Sequence, residues 1–472
     1  MPSQSNILLP VVLGGRPVRD RAFFSKPMVD EAEVDAVAQT VRDGLFSRFV
    51  GSALPGTRKL LRQTSEELRH LDTPSSFLGG PNVRRFEADW AKAHEVPYVV
   101  AVNSATSGLT AALMAMNVGP GCEVITTPLS FTATATAIVA ANATPVFADI
   151  DQETLCLDPK AVERAITPAT RCIIPVHWCG NAGDFDRILD IARLHNIPVI
   201  EDAAQGPGTI YRGRFLGTHG AAGVFSFSEP KNVMTGEGGM VITSDPDIAE
   251  KCRLIRNHGE CVPDDNDPDS YVVNVIGFNF RMVEVVAALG WVQTGKLSRA
   301  NGIRNRNYNY LVERLEEVSD RMLVPQRITH RDTFAAYTAA FRWLGERVGI
   351  SRDAVAKVLR SEGIPVATGV GKLMSDNQLF KRKLGYGYGG HPFKTLIRPD
   401  SVCYDPARVV IAQRVHDKEY LGFFLMGWPN TERDMDDIVS AFAKIAAHRQ
   451  QLADYFQDNP PEAGSFDRGR GR

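Results

Sequence analysis

The sequence Pro198-Val-Ile-Glu-Asp-Ala-Ala-Gln205 begins with a short apolar run and ends in polar residues, and so does Val224-Phe-Ser-Phe-Ser-Glu-Pro-Lys231. A short continuous apolar run is typical of a strand that is covered on both faces. In the first segment two acids follow the apolar run, and in the second a lysine follows it. The two segments therefore predict strands that carry chemically active side chains at their ends.

Similar apolar runs recur from about residue 98 to residue 243, and helix-like stretches lie between several of them. Strands that alternate with helices indicate an α/β fold with a doubly wound, mostly parallel sheet. Ligands of such sheets bind at the carboxyl ends of the strands, so we expect Asn103, Asp202 and Ser226 on one rim. The predicted strands are Tyr98–Val102, Glu123–Thr127, Pro145–Asp149, Cys172–Val176, Pro198–Glu201, Val224–Phe227 and Met240–Thr243, and the predicted helices include Ser107–Met116, Ala133–Ala141 and Phe185–His195.

Composition excludes several classes of function. The chain has 472 residues, 44% hydrophobic content and a net charge of −2, which gives no electrostatic case for nucleic acid or an anionic membrane as partner. No apolar run has the length of a membrane span. The seven cysteines form no CxxC pair, so we expect reduced thiols in a cytoplasmic protein and no metal site.

The flanks of the sheet region predict further domains. We expect an N-terminal segment at 1–90 with an insertion at 46–80, a large cofactor-binding domain at 91–295, a smaller C-terminal α/β domain at 296–456 with an insertion at 370–405, and a disordered tail at 457–472. The C-terminal domain is indicated by the patterns Arg304–Val318, Phe334–Leu344, Arg352–Glu362 and Asp434–Phe456.

Lys231 and an upstream acid suggest one cofactor, pyridoxal 5'-phosphate (PLP). A PLP enzyme needs a lysine that holds the aldehyde as a Schiff base and a carboxylate that keeps the pyridine nitrogen protonated. Asp202 and Glu201 are both candidates for that carboxylate, and a helix cap or a metal ligand is the alternative role for Asp202. The lysine amine, once released, can also move a proton between two carbon atoms.

The phosphate and the ring of such a cofactor need further groups. Asn103–Gly108 follows a strand and opens a helix, whose N-terminus favours an anion, and Ser226 offers another hydroxyl. Gln205 lies one helical turn after Asp202, where it can reach the phenolic oxygen. Phe131 follows a strand end and can stack on the ring, although core packing is the commoner role for a phenylalanine.

These residues resemble the DegT/DnrJ/EryC1/StrS family of sugar aminotransferases, which belong to fold type I of PLP enzymes. The resemblance runs from Gly14-Gly-Arg-Pro-Val18 to Trp428-Pro-Asn-Thr-Glu432. Its motifs occur in order along the chain, among them Asn103-Ser-Ala-Thr106, Glu201-Asp-Ala-Ala204, Phe225-Ser-Phe227, Gly236-Glu-Gly-Gly239, Arg256-Asn-His-Gly259 and Gly277-Phe-Asn-Phe-Arg-Met282.

The resemblance implies roles at the matching positions. Lys231 would be the Schiff-base lysine and Asp202 the partner of the pyridine nitrogen, both catalytic. Asn279 would reach across a homodimer interface to the phosphate of the partner subunit. The other cofactor-binding residues would be Gln205 at the phenolate, Phe131 on the ring, and Ala105, Thr106 and Ser226 at the phosphate.

The implied activity is transfer of an amino group from L-glutamate or L-glutamine to a keto-sugar, which we expect to be linked to a nucleotide. A keto-cyclitol or an antibiotic-precursor ring is an alternative acceptor. A PLP-dependent sugar dehydratase is a second alternative, although dehydratases of this family carry histidine in place of Lys231, and a catalytically silent homologue is a third. Seven basic residues of the two insertions would meet a diphosphate or carboxylate, or lie on a solvated surface: Arg58, Lys59, Arg62, Lys372, Lys381, Arg382 and Lys383.

Overall fold

The computed structural model describes residues 8–24, 26–49, 78–229, 231–261, 272–273, 275–345, 349–387, 390–393 and 402–461. Most of the insertion predicted at 46–80, with Arg58, Lys59 and Arg62, and most of the predicted tail lie outside these residues. The central strands are β1 (Tyr98–Val102), β2 (Glu123–Thr126), β3 (Thr144–Phe147), β4 (Thr170–Ile174), β5 (Ile200–Asp202), β6 (Ala222–Ser226) and β7 (Gly239–Thr243).

The central strands form one sheet in the order β3-β2-β4-β5-β6-β7-β1. Hydrogen bonds define a group of three and a group of four strands, and parallel bridges from Ile173 to Val199 and from Val176 to Asp202 join them. Only β7 is antiparallel to its neighbours. The predicted seven-stranded, mostly parallel sheet is confirmed.

Helices cover both faces of this sheet, because alternate strand residues point to opposite sides. Val100, Val224 and Val241 belong to the apolar cluster on one face, and Val99, Phe225 and Ile242 belong to a cluster on the other. The helices of this part are α1 (Glu31–Asp43), α2 (Pro81–His94), α3 (Ala105–Ala115), α4 (Ala133–Ala140), α5 (Pro159–Ala165), α6 (Phe185–Leu194) and α7 (Pro246–Arg256). Two-residue strand pairs join Ile210–Tyr211 to Arg214–Phe215 and Glu260–Cys261 to Val272–Val273.

The C-terminal part contains a three-stranded antiparallel sheet, in the order β8-β9-β10. One face packs on helices in an apolar cluster that includes Phe341, Trp343 and Phe442. The elements are α8 (Glu284–Val318), β8 (Leu323–Pro325), β9 (Ala339–Trp343), α9 (Arg352–Ser361), the short helices Gln378–Lys381 and Val410–Arg414, the π-helical turn Val415–Glu419, β10 (Tyr420–Phe423), α10 (Glu432–Ala447) and α11 (Arg449–Asp458).

Two predicted helix ranges differ from the structure. Helix α8 begins at Glu284 and not at Arg304, and it therefore runs across the domain boundary predicted at 295/296. The range predicted as Asp434–Phe456 consists of α10 and α11, because His448 has a non-helical backbone. The domain boundaries themselves stay a prediction. No helix in the described part of the chain is both long and apolar enough to cross a membrane.

Candidate active site

The carboxyl ends of the parallel strands gather most of the predicted site residues at one edge of the sheet. In the strand register, Gly239 at the start of β7 pairs with Val102 at the end of β1 and with Ser226 at the end of β6. Asp202, at the end of β5, pairs with Val224 of β6. The expected common rim for Asn103, Asp202 and Ser226 is therefore present.

The N-terminus of α3 opens onto this rim. The Ser104 side chain caps the helix by accepting a hydrogen bond from the Ser107 backbone N–H, at 3.1 Å. A Cβ atom at Gly239 would lie 2.5 Å from the Ala105 backbone nitrogen, so glycine is needed for β7 to approach the helix. The Ala105 and Thr106 N–H groups belong to the first turn, which has no intrahelical acceptors for them and favours an anion.

Asp202 is held in place by the segment that follows β2. Its side chain is buried, and its Oδ2 accepts a hydrogen bond of 2.7 Å from the Thr134 hydroxyl. The other carboxylate oxygen accepts a longer bond, 3.2 Å, from the Ala204 N–H. Thr134 belongs to the helix that begins two residues after Phe131, so this bond ties the Phe131 segment to the end of β5.

Glu201 is turned to the opposite face of the sheet. Its buried carboxylate accepts hydrogen bonds from His177 Nε2 at 2.8 Å and from the backbone N–H groups of Gly217, His219 and Gly220 at 2.7 Å each. A carboxylate with four donors has no lone pair left for a cofactor in that position. Of the two candidate acids, the geometry therefore favours Asp202 at the pyridine nitrogen.

Substitution of Glu201 by glutamine is expected to lower the free energy of unfolding by about 3 kcal/mol or more, because buried charged hydrogen bonds are lost and an amide N–H₂ meets backbone donors. Burial raises the pKa of the Glu201 carboxyl, but the His177 and backbone hydrogen bonds outweigh burial and hold that pKa below its ordinary value of 4.5. The carboxylate therefore stabilises the fold above pH 4.5, and this contribution is lost as the pH falls through the depressed pKa.

Urea unfolding of the wild type and of E201Q at several pH values measures this effect. We expect the difference in stability to be full at neutral pH and to shrink in acid. Equal stability of the two proteins at neutral pH would contradict the assigned role.

Gln205 supports the turn after β4. Its Oε1 accepts a hydrogen bond of 2.8 Å from the backbone N–H of Cys179, which has a left-handed backbone with φ 60°. A non-glycine residue in this region is uncommon and carries a conformational cost, which the hydrogen bond from Cys179 to Gln205 helps to offset. The side-chain carbonyl oxygen of Gln205 already accepts a hydrogen bond from Cys179. The predicted contact of Gln205 with a phenolic oxygen therefore stays a prediction.

Lys231 extends toward the C-terminal sheet. Its backbone N–H donates to the Ser228 carbonyl at 2.9 Å, and its Nζ lies 4.6 Å from the ring centroid of Tyr337. No carboxylate in the described part of the chain forms an ion pair with this Nζ. The Tyr337 backbone is fixed by a bond to the Cys179 carbonyl at 3.3 Å and one from Arg304 at 3.4 Å. Tyr337 was not among the residues predicted from the sequence.

Substitution of Tyr337 by leucine is expected to speed capture of PLP by the apoenzyme up to about fivefold, because loss of a cation–π contact worth about 1 kcal/mol shifts Lys231 toward the neutral amine that reacts. Phenylalanine offers the same ring face to the charged amine as tyrosine does. Tyr337→Phe is therefore expected to retain the wild-type rate within about twofold. Stopped-flow absorbance after mixing apoenzyme with PLP measures the rate. Equal acceleration in both variants would assign the effect to the hydroxyl and not to the ring.

Two predicted residues are exposed. Phe131 has 61% of its surface accessible, so its ring is free to stack on a ligand instead of packing in the core. Asn279 is exposed beside the rim, where its backbone carbonyl accepts a bond of 3.3 Å from the Asn103 side chain. Neither placement tests the predicted role.

Comparison with known proteins gives the context of this site. The sequence model of the DegT/DnrJ/EryC1/StrS aminotransferase family matches residues 60–391. The chain is 34% identical over 464 residues to the L-glutamine:2-deoxy-scyllo-inosose aminotransferase of Streptomyces kanamyceticus, and this match covers 96% of the chain and 100% of the relative. It is 38% identical over 299 residues to the GDP-perosamine synthase of Caulobacter vibrioides, covering 63% of the chain and 78% of the relative.

Solved structures have the same fold. The aminotransferase from Psychrobacter cryohalolentis has a TM-score of 0.73 and 27% identity, over 90% of this chain and 99% of that one. A GDP-4-keto-6-deoxymannose-3-dehydratase, solved with a trapped PLP-glutamate geminal diamine, has a TM-score of 0.71 over 90% of this chain and 100% of that one. At 22% identity, the second likeness shows the fold alone.

Proposed function

The chain belongs to the DegT/DnrJ/EryC1/StrS aminotransferase family, and we propose that this PLP-dependent enzyme moves an amino group from L-glutamine or L-glutamate to a ketone on a hydroxylated ring. The observation that carries the proposal is the full-length match to a glutamine-dependent aminotransferase together with the intact Lys231 and Asp202. A catalytically silent homologue would have no need to keep both groups.

The residues present fit PLP. The first turn of α3 and the Ser226 hydroxyl offer donors to a phosphate, and Gly239 leaves backbone space beside them. The buried carboxylate of Asp202 suits a protonated ring nitrogen, and the lysine amine has no competing carboxylate in the described part of the chain. When bound, PLP supplies an electron sink for cleavage of a bond at the amino-bearing carbon.

We assign the proton transfers and the orientation of the cofactor to side chains and the α3 N-terminus of this protein. Lys231 Nζ would take the proton from the amino-bearing carbon of the donor and deliver it to the cofactor carbon that receives the amino group, and it would move a proton in the reverse direction for the acceptor. Asp202 keeps a proton on the ring nitrogen, and Thr134 orients the carboxylate through Oδ2. Phe131 and the α3 N-terminus orient the ring and the phosphate.

Two kinds of acceptor are consistent with the relatives. The full-length relative is named for a keto-cyclitol, which favours an unphosphorylated ring and L-glutamine as donor. The GDP-perosamine synthase is named for a nucleotide-linked sugar and keeps the keto-sugar nucleotide as second candidate. Lys231 argues against the dehydratase reaction, because the dehydratases of the family carry histidine there.

We further propose a homodimer in which Asn279 reaches the phosphate of the partner subunit. The side chains of Ile276, Phe278 and Val283, which lie within four residues of Asn279 in the chain, are exposed, and exposed apolar side chains favour burial against another surface. A two-fold dimer would bury the same patch on both copies.

We also propose that the enzyme works in the cytoplasm. Six cysteines are free thiols in the described part of the chain, in agreement with a reducing compartment.

Absorbance spectra of the PLP-loaded enzyme test the donor. Addition of L-glutamine or L-glutamate should replace the PLP band by the band of pyridoxamine phosphate, after which keto-cyclitols and keto-sugar nucleotides can be screened as acceptors. A PLP band that neither donor changes would overturn the proposed donor class.

A further inference from the structure

The segment 277–282, which carries Asn279, is bound to the loop that opens α3. The Asn103 backbone N–H donates to the Phe280 carbonyl at 2.8 Å, and the Asn103 side-chain Nδ2 donates to the Asn279 carbonyl at 3.3 Å. The same side chain accepts, at Oδ1, a hydrogen bond of 2.5 Å from the Ser107 hydroxyl. Asn103 therefore joins the first turn of α3 to the backbone of the residue that is proposed to reach the partner subunit.

The same segment is also bound to the end of α7. The backbone N–H groups of Phe278 and Phe280 donate to carbonyls in the last turn of α7, at 2.7 and 3.0 Å. Asn257, which follows α7, forms an antiparallel bridge with Asn279. Hydrogen bonds to two different elements thus fix the backbone around Asn279, and the direction of its side chain depends on them.

Two glycines bring this segment into direct backbone contact with the turn after α7. A Cβ atom at Gly277 would lie 2.2 Å from the Gly259 nitrogen, and one at Gly259 would lie 2.0 Å from the Val275 carbonyl oxygen. Gly259 also has a left-handed backbone, with φ 74°. Among the described residues, both hydrogen bonds from the segment to the α3 loop come from Asn103. The connection to α3 therefore depends on this one residue.

The Asn279 side chain has a donor available for a ligand. Its Oδ1 accepts a long bond of 3.4 Å from the Arg281 N–H, while its Nδ2 has no hydrogen-bond partner in the described part of the chain. The side chain is exposed, and ordering an exposed side chain at a ligand costs conformational entropy. A backbone that is fixed in advance lowers the cost of placing this amide at a phosphate.

The α3 N-terminus of the same subunit depends less on the Asn103 side chain. The cap of α3 is the Ser104 side chain, which accepts from the Ser107 N–H at 3.1 Å. The Ser107 hydroxyl also donates to the Ser104 carbonyl at 2.8 Å. Removal of the Asn103 side chain therefore leaves the cap and one acceptor for Ser107 in place.

We propose that Asn103 is a positioning residue that acts in trans, because it holds the segment from which Asn279 reaches the PLP phosphate of the partner subunit. This inference rests on the proposed function, which includes the cofactor and the homodimer. Each subunit would then use Ala105 and Thr106 for its own phosphate and would use Asn103, through Asn279, for the other phosphate. Loss of Asn103 should weaken the site of the partner subunit more than the site of its own subunit.

Mixed dimers distinguish these two effects. Two versions of the full-length chain with different affinity tags are produced together, and only dimers that carry both tags are kept. One subunit carries Lys231→Ala, so only the other subunit forms the absorbance band of lysine-bound PLP. Titration of the apoenzyme with PLP then reports the affinity of that one site.

The position of Asn103→Ala in the mixed dimer decides the result. In the Lys231→Ala subunit it is expected to weaken PLP binding at the reporting site about three- to tenfold, as for loss of one hydrogen bond. In the subunit that keeps Lys231 it should change this affinity by less than about twofold. Asn459→Ala, at the exposed end of α11, is the matched control and should have no effect in either subunit. Equal effects of Asn103→Ala in the two arrangements, or no effect in either, would overturn the proposal.

A double variant tests whether Asn103 acts through Asn279. With both Asn103→Ala and Asn279→Ala in the Lys231→Ala subunit, the loss of affinity should be no larger than with Asn279→Ala alone, because the residue to be positioned is gone. Losses that multiply would show that the two residues contribute independently, and this result would contradict the proposal.

Sedimentation and the donor reaction separate this inference from the proposed function. A chain that sediments as a monomer under the conditions of the titration would overturn the dimer and the role of Asn103 together. A dimer with the expected affinities, whose bound PLP no donor converts, would contradict the proposed transfer reaction and leave the role of Asn103 standing. Conversion of PLP by a donor, with equal affinities in the two arrangements, would do the opposite.

Discussion

Substitution of Lys231 by alanine is expected to abolish conversion of bound PLP by the amino donor. The variant retains the α3 N-terminus, Ser226 and Asp202, so it should still bind the cofactor, although more weakly. Without the Nζ amine no group moves the proton at the reacting carbon, and we expect the rate to fall by at least about 10³-fold, within the range of general acid–base groups. Stopped-flow absorbance after addition of L-glutamine measures this rate.

Two further variants control this experiment. Lys160→Ala removes an exposed lysine at the start of α5 and should react as the wild type does. Lys231→Arg keeps a positive charge but offers no neutral amine, so it should be as inactive as the alanine variant. Conversion by the alanine variant at more than a tenth of the wild-type rate would show that another group moves the proton.

Substitution of Asp202 by asparagine is expected to slow the same conversion by about 10²- to 10³-fold, the usual loss when one preorganised electrostatic partner is removed. The amide has the size of the carboxylate and can still accept from Thr134, so the fold should be retained. It carries no charge to hold a proton on the ring nitrogen. The absorbance spectrum of the bound cofactor should change together with the rate.

Glu201→Gln separates the two neighbouring acids. That variant should be less stable but, once folded and loaded with PLP, should convert the donor near the wild-type rate, because its carboxylate lies on the other face of the sheet. Slow conversion with normal stability in E201Q, together with fast conversion in D202N, would exchange the two assignments.

The central sheet was predictable because its strands are buried on both faces and read as continuous apolar runs. Strands β1 to β7 lie within about two residues of their predicted positions. Helix α8 was predicted twenty residues too short, since it packs against α1, α2 and α10. A helix with several buried sides has no single apolar stripe, and its first half shows no clear period.

The site was predictable where its residues follow strand ends, because the topology of a parallel sheet brings those ends together. Lys231, Asp202, Ser226 and the α3 N-terminus belong to this group. Tyr337 comes from the loop before β9, more than 100 residues from Lys231 in the chain, and only the packing of the C-terminal sheet brings it close. The one available signal in the sequence was an aromatic residue just before β9. Such a residue does not indicate that its ring contacts Lys231.

Glu201 and Asp202 are consecutive residues of β5, so their side chains point to opposite faces of the sheet. Which acid faces the proposed cofactor site is therefore set by the register of this three-residue strand. Ile200 packs with α3 and α4, and Val199 packs with the helices on the other side, so consecutive acids are sent to opposite layers. A shift of β5 by one position would exchange the layers of every side chain in it. Glu201, which holds the segment 217–220 before β6, would then face the cofactor, and Asp202, proposed to pair with the ring nitrogen, would be buried among backbone donors. Insertion or deletion of a single residue in β5 would thus remove the structural role of Glu201 and the proposed cofactor role of Asp202 together. A point substitution of either acid removes only one of these roles.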